Sequence, residues 1–284
     1  MKVGAHVSSS GGLSTAFERA QAIGAETIQI FGAPPKVWKR RIIRPDECAA
    51  FKQGIKDSGI EPVFIHGTYL INLATGDPEM LKKSEDALAG DLNLASAIGA
   101  KGVIFHVGSH KGAGFDKMLP QIAKAIKRVL KATPVDAWII LENSAGSGDS
   151  IGSKFEHLAA IIDSVSSPRV KVCMDTEHAF ASGYNLADKK GIEEAIKEFE
   201  STVGLDQLVA VHANDSKIPL GGGVDRHDNI GDGHIGVAGF EVIMAHKAFR
   251  NVPFLLEVPG VDKSGPDKPN VDMLKKIRAK VGAL

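Results

Sequence analysis

The strongest constraint on the fold is a repeating pattern of short apolar segments separated by longer amphipathic ones. The apolar segments are mostly continuous, which is typical of parallel strands that are covered on both faces. We predict eight strands, at residues 2–7, 27–31, 62–66, 102–106, 138–142, 170–175, 208–212 and 253–257. The stretches between them favour helices, as in residues 81–98, where apolar side chains recur at helical spacing.

Eight strands that alternate with helices predict an α/β fold, a single-domain (β/α)₈ TIM barrel over residues 1–284. An open, doubly wound sheet is the alternative. No apolar run is long enough to cross a bilayer, no secretory signal is visible, and two cysteines make no disulfide framework. We therefore expect a cytoplasmic protein without membrane contacts. The formal net charge of zero argues weakly against nucleic-acid binding.

The predicted strands end on side chains that bind metal ions. In a TIM barrel the active site lies at the carboxyl ends of the strands. Six strands end on a histidine or a carboxylate, namely His66, His106, Glu142, Asp175, His212 and Glu257. A single residue of this kind is usually structural. Several carboxylates at one rim, however, would repel each other and lose hydration unless a divalent cation joined them.

Two loops add further candidate ligands. His178 follows Asp175 by three residues, and Asp225 and His227 are two residues apart, so a loop can turn both towards one ion. Mixed imidazole and carboxylate donors suit zinc, with manganese and iron as alternatives. A carboxylate such as Glu142 can bridge two ions, and a water between two metals becomes a nucleophile near neutral pH. Strand-end residues alone leave a hydrolase and a sugar isomerase open.

A basic segment follows the second predicted strand. Residues 36–41 place four cations around Trp38, and Arg44 follows. Two interpretations are open at this point. The segment is either a solvated charged loop, or a loop that grips phosphates and inserts an aromatic side chain into DNA.

Seven long motifs resemble the endonuclease IV family of abasic-site endonucleases. They are HGTYLINLA (66–74), FHVGSH (105–110), LENSAGSG (141–148), KFEHLAAIID (154–163), CMDTEHAFASGYN (173–185), HANDSK (212–217) and DRHDNIGDGHIG (225–236). The resemblance covers nearly the whole chain and implies a TIM barrel with three metal ions, usually zinc. It assigns His66, His106 and Glu142 to the first ion, Glu142, Asp175, His212 and Glu257 to the second, and His178, Asp225 and His227 to the third.

The reaction implied by the resemblance is hydrolysis of the phosphodiester 5′ to an abasic site in double-stranded DNA. It leaves a 3′-hydroxyl and a 5′-deoxyribose phosphate. A hydroxide bridging two metals would be the nucleophile, with Glu142 and Glu257 as catalytic residues. The resemblance also implies that Lys36, Trp38 and Tyr69 contact DNA.

Two residues depart from the family pattern. Lys36 stands where many relatives have arginine, and lysine lacks the planar fork of that side chain. Glu177 lies between two candidate ligands, where relatives commonly have cysteine or another small residue. Its carboxylate either points away from the metals or joins their site and favours harder cations.

Three functions are compatible with parts of this pattern: an abasic endonuclease, a one-metal sugar isomerase or epimerase, and a non-catalytic reader of DNA damage. Four candidate ligands, Glu142, Asp175, His212 and Glu257, would suffice for the isomerase. The other five favour the nuclease over both alternatives. One substrate-sized site per barrel predicts a monomer.

Overall fold

The computed structural model describes residues 1–40 and 42–283. Arg41, part of the basic segment, lies outside the described residues. The strands within these ranges are β1 Val3–His6, β2 Ile28–Phe31, β3 Val63–His66, β4 Gly102–His106, β5 Trp138–Glu142, β6 Val170–Asp175, β7 Leu208–His212, β8 Asp215–Ser216, β9 His227–Asp228 and β10 Phe254–Leu256. The α-helices in the same ranges are α1 Thr15–Ile23, α2 Pro45–Ser58, α3 Pro78–Ile98, α4 Phe115–Ala132, α5 Phe155–Val165, α6 Thr176–Ser182, α7 Lys189–Thr202, α8 Gly236–Ala245 and α9 Lys268–Lys280.

Eight of these strands form a closed parallel barrel in the order β1-β10-β7-β6-β5-β4-β3-β2. The barrel closes because β1 pairs with β10, with Val3 beside Phe254. This pairing confirms the predicted TIM barrel and excludes the open doubly wound sheet, whose edge strands would stay unpaired. The two short strands β8 and β9 form a separate antiparallel hairpin.

The predicted strand bounds hold for β4 to β7, and the other four barrel strands are shorter by one residue at one or both ends. The difference matters at β10, which ends at Leu256 and not, as predicted, at Glu257. The Glu257 N–H donates to Asn214 Oδ1 at 2.8 Å. Its hydrogen bond therefore goes to a side chain and not to the backbone of a neighbouring strand.

The interior of the barrel is filled by one buried side chain from each of six strands. These are Phe64, Ile104, Ile140, Cys173, Ala210 and Leu255. Alternate residues of the strands, such as Ile139 and Leu141 of β5, belong to the larger cluster that the helices cover. Because side chains alternate between the two faces of a strand, residues two positions beyond the interior layer also face the barrel axis.

Helix α3 begins earlier than the apolar pattern over residues 81–98 indicated, because its first turn is specified by capping. The Asp77 carboxylate accepts hydrogen bonds from the Glu79 and Met80 N–H groups at 2.8 and 3.3 Å, and Pro78 takes the first helical position. Gly99 ends the helix in the left-handed region at φ 78°. Among the described helices, none is long and apolar enough to cross a membrane.

Candidate metal centre

The register of the barrel brings the strand-end candidates together. Six of them lie two positions after an interior residue of the same strand, and these are His66, His106, Glu142, Asp175, His212 and Glu257. They therefore turn towards the axis at the carboxyl end of the barrel. Pairing sets neighbours side by side, with His106 opposite Glu142 and Asp175 opposite His212.

The first group consists of His66, His106 and Glu142, whose ligand atoms lie within 4.8 Å of one another. Glu142 Oε2 is 3.2 Å from His66 Nε2 and 3.4 Å from His106 Nε2. His66 Nδ1 donates to the Gly67 carbonyl at 2.7 Å. In the neutral imidazole, the inward Nε2 of His66 therefore carries the lone pair that a metal ion would take.

The second group consists of Glu142, Asp175, His212 and Glu257, again within 4.8 Å. His212 Nδ1 is 2.8 Å from Glu142 Oε1 and 3.3 Å from Glu257 Oε2. Glu142 thus presents Oε2 to the first group and Oε1 to the second. This is the arrangement that a carboxylate bridging two cations requires.

The third group lies on loops at the same rim. His178 Nε2 and His227 Nε2 are 3.5 Å apart, and each is 3.4 Å from a carboxylate oxygen of Asp225. Asp175 caps α6 and accepts the His178 N–H at 3.0 Å, which places that imidazole in the centre. The hairpin of β8 and β9 returns the chain to bring in His227.

The outer nitrogens of these histidines support a metal centre. Nδ1 of His178 donates to the Asn143 carbonyl at 3.0 Å, and Nδ1 of His227 faces the Glu257 carbonyl at 3.2 Å. In the neutral imidazoles the two inward Nε2 atoms would both carry lone pairs, and a cation between them could bind both. Metal-ligating histidines characteristically donate their other N–H to an oxygen in this way.

The pKa shifts of two residues also support the binding of cations at this centre. Burial alone would raise the pKa of the Glu142 carboxyl, but His106 and His212 bring it well below its ordinary value. Burial alone would lower the pKa of His178, but the charge of Asp175 and its other acidic neighbours raise it well above the ordinary value. Glu142 is therefore anionic, and its oxygens attract either protons or cations, so metal binding would release protons from the neighbouring imidazoles.

Three buried amide side chains that the sequence did not single out hold the candidate ligands in place. Gln29 donates to Glu257 Oε1 at 2.6 Å and its Oε1 accepts from His212 Nε2 at 2.9 Å. Asn214 donates to Asp175 Oδ2 at 2.7 Å. Asn143 bonds the Asp175 backbone at both N–H and carbonyl. The sequence signal for Gln29 is a polar side chain inside the apolar strand at 27–31, and the register of β1 and β2 places it beside His6.

Of the predicted DNA-contacting residues, Tyr69 lies next to the centre, and Lys36 and Trp38 lie in the segment that follows its backbone partner Pro35. The Tyr69 ring is 54% exposed, and its centroid is 5.6 Å from that of His66. The Tyr69 N–H donates to the Pro35 carbonyl at 3.0 Å, which joins this loop to the basic segment beside the exposed Lys36. Trp38 is half-buried and packs against the core. Tyr69 also lines a cavity of about 590 Å³ together with Asp225.

Barrel and site together define a TIM barrel of the xylose isomerase-like family, which the chain matches over residues 17–279. A D-tagatose 3-epimerase-like protein shares the fold with a TM-score of 0.74 over 99% of this chain and 98% of its own, at 18% identity. The crystal structure of endonuclease IV from Thermus thermophilus superposes with a TM-score of 0.87 at 31% identity, over 99% of this chain and all of its own. A probable endonuclease 4 from Methanoculleus marisnigri is 39% identical over 99% of both chains. The chain belongs to the endonuclease IV family.

Proposed function

We propose that this protein is a DNA-repair endonuclease that hydrolyses the phosphodiester 5′ to abasic sites in duplex DNA, using three zinc ions. The observation that carries the proposal is the convergence of nine candidate ligands in three adjoining groups, with Glu142 shared by two of them. Membership of the endonuclease IV family agrees with that chemistry.

The donor set fits zinc, because imidazole nitrogens and carboxylate oxygens occur together in every group. When bound, the ions would lower the pKa of a water between them to near neutrality, making it a hydroxide nucleophile, and would neutralise charge on the leaving 3′-oxygen. Glu142 would hold the first two groups at a fixed separation. Glu257, 15% exposed and oriented by Gln29, would align or deprotonate the attacking water.

Recognition of the abasic site would fall to the residues around the cavity. Lys36 would contact the DNA phosphates, and the exposed Tyr69 ring would pack where the missing base leaves space. Trp38 would support the same segment from its half-buried position or enter the base stack if the segment moves. An abasic nucleotide is inexpensive to rotate out of the helix because it has no base to unstack. All nine candidate ligands come from one chain, so we propose that the active unit is a monomer.

The test is cleavage of a duplex that contains one tetrahydrofuran abasic analogue, with and without a chelator. We expect a metal-dependent nick 5′ to the analogue. Glu142→Gln should lose cleavage while binding the duplex, and Glu193→Gln, the same change at an exposed site on α7, should cleave normally. No nick from the metal-loaded protein would refute the proposal, as would full activity of Glu142→Gln.

Metal content separates this proposal from the sugar isomerase. The second group alone would serve a one-metal isomerase, and epimerase-like proteins share the fold. About three zinc ions per chain support the nuclease, and about one supports the isomerase. If the protein binds the abasic duplex but does not cleave it with any metal, it is instead a damage reader.

A further inference from the structure

Glu177 is a carboxylate that the nine-ligand scheme does not use. It lies in the first turn of α6, two residues after Asp175 and immediately before His178, and its side chain is fully buried. Carboxylates are rarely buried unless they are paired or bind a metal ion. Its burial therefore requires an explanation from its contacts.

The two oxygens of this carboxylate have different surroundings. Oε1 accepts hydrogen bonds from the Ser216 hydroxyl and from the Arg226 N–H, both at 3.1 Å. Those bonds link α6 to the β8–β9 hairpin and account for Oε1. Oε2 is buried and has no hydrogen-bond partner among the described residues. A structural role in tethering the hairpin therefore leaves half of the carboxylate unexplained.

The unpartnered oxygen faces the third group. Glu177 Oε2 lies 4.0 Å from His178 Nε2, a separation compatible with two donors on one ion. One ligand atom from each of Asp175, Glu177, His178 and His227 lies within 4.8 Å of the others. A buried carboxylate oxygen without a partner costs free energy, and a cation between it and the two imidazoles would remove that cost.

We propose that Glu177 is a further ligand of the third metal ion, bound through Oε2. This inference rests on the proposed three-metal centre. The ion would then have two imidazoles, the rim carboxylate of Asp225, which is 56% exposed, and the buried carboxylate of Glu177. Two carboxylates neutralise a divalent cation, and the extra oxygen shifts the site towards ions such as manganese that prefer oxygen donors.

The test is a metal titration of Glu177→Gln in zinc buffers, with ions per chain counted by elemental analysis. Glutamine keeps the Oε1 acceptor for Ser216 and Arg226 and replaces only Oε2 with an amide nitrogen. We expect the dissociation constant of one ion to rise at least about tenfold while the other two stay bound. Ser216→Ala removes the bond to Oε1 and the contacts of the same hydroxyl with Ile218, but it leaves Oε2 in place and should weaken that ion less.

Which of the two variants loses more metal affinity distinguishes a metal ligand from a residue that only holds the hairpin. If Glu177 only held the hairpin, Ser216→Ala would be the more impaired variant and Glu177→Gln would retain three ions, which would overturn the inference and leave the proposed function intact. Fewer than three ions in the unmodified protein would overturn both. A zinc-loaded crystal structure tests the unmodified chain directly. We expect Oε2 about 2.0–2.2 Å from the ion, and a separation above about 3 Å would refute ligation.

Discussion

Replacing Arg40 with methionine should destabilise the protein strongly, because it would leave Asp91 buried without its cation. Asp91 lies on α3 and its side chain is 1% exposed, while Arg40 lies in the basic segment and is 24% exposed. The Arg40 guanidinium donates to Asp91 Oδ1 and, at 3.3 Å, to the Ala87 carbonyl. The pair therefore anchors the basic segment to the barrel.

The expected loss is about 3–4 kcal/mol at pH 7. Removing one partner of a buried ion pair typically costs about 3–5 kcal/mol. The loss of stability has an upper limit, because Asp91 can take up a proton. Its ordinary pKa is 3.8, so protonating it at pH 7 requires roughly 4 kcal/mol, at about 1.4 kcal/mol per pH unit.

The stability deficit of this variant should depend on pH. Burial raises the pKa of the Asp91 carboxyl, although Arg40 beside it acts in the opposite direction. A carboxyl whose pKa is raised on folding favours the folded state at low pH and disfavours it as pH rises. The deficit of Arg40→Met relative to the unmodified protein should therefore shrink as pH falls below 7, by up to about 1.4 kcal/mol per unit while Asp91 stays ionised in the unmodified protein.

Urea unfolding of both proteins at pH 7 and pH 5 measures these quantities. Arg128→Met is the control, because Arg128 is 53% exposed and its partner Glu85 keeps contact with solvent, so the loss should be smaller than for Arg40→Met. Adding Asp91→Leu to Arg40→Met should recover most of the loss. A deficit below about 1 kcal/mol at pH 7, or one that grows on acidification, would refute the reasoning.

Three further predictions concern other contacts. Glu26→Gln should cost about 1–2 kcal/mol at pH 7 by urea unfolding, because Arg278 at 2.6 Å lowers the Glu26 pKa to about 2 against the opposing effect of burial. That stabilisation is present above pH 4.5 and is lost as the pH falls towards 2. The variant should not show this loss of stability. Gln29→Leu should weaken zinc binding about 10–100-fold by titration, since it removes the amide between His212 and Glu257. Tyr69→Ala should weaken binding to an abasic duplex about tenfold by fluorescence anisotropy, with metal content unchanged.

Each of these predictions has an outcome that would contradict it. Equal acid sensitivity of Glu26→Gln and the unmodified protein would show that the ion pair with Arg278 contributes nothing. Unchanged zinc affinity in Gln29→Leu would mean that the second group does not depend on that amide. Undiminished DNA binding by Tyr69→Ala, or loss of metal from it, would remove the assigned recognition role.

The fold was predictable because its signals are local. Continuous apolar runs at the strands and helical spacing between them depend on neighbouring residues only, and they placed β4 to β7 at their observed bounds. The bounds of β10 were wrong by one residue at each end, and at the carboxyl end the hydrogen bond of Glu257 goes to Asn214, 43 residues away. No local pattern marks a contact of that kind.

The opposite holds for the residues that complete the centre. Gln29 lies inside an apolar strand, and its importance depends on His212 and Glu257, which are 183 and 228 residues away. For Glu177 the sequence left two orientations open, and the packing of α6 against the β8–β9 hairpin turned Oε2 towards His178. Sequence alone determined the barrel and the types of donor at its rim, because the barrel follows from the repeated apolar segments and the donors are the residues that end them. Only the closed barrel decided which oxygen faces which imidazole, because that depends on how distant strands align.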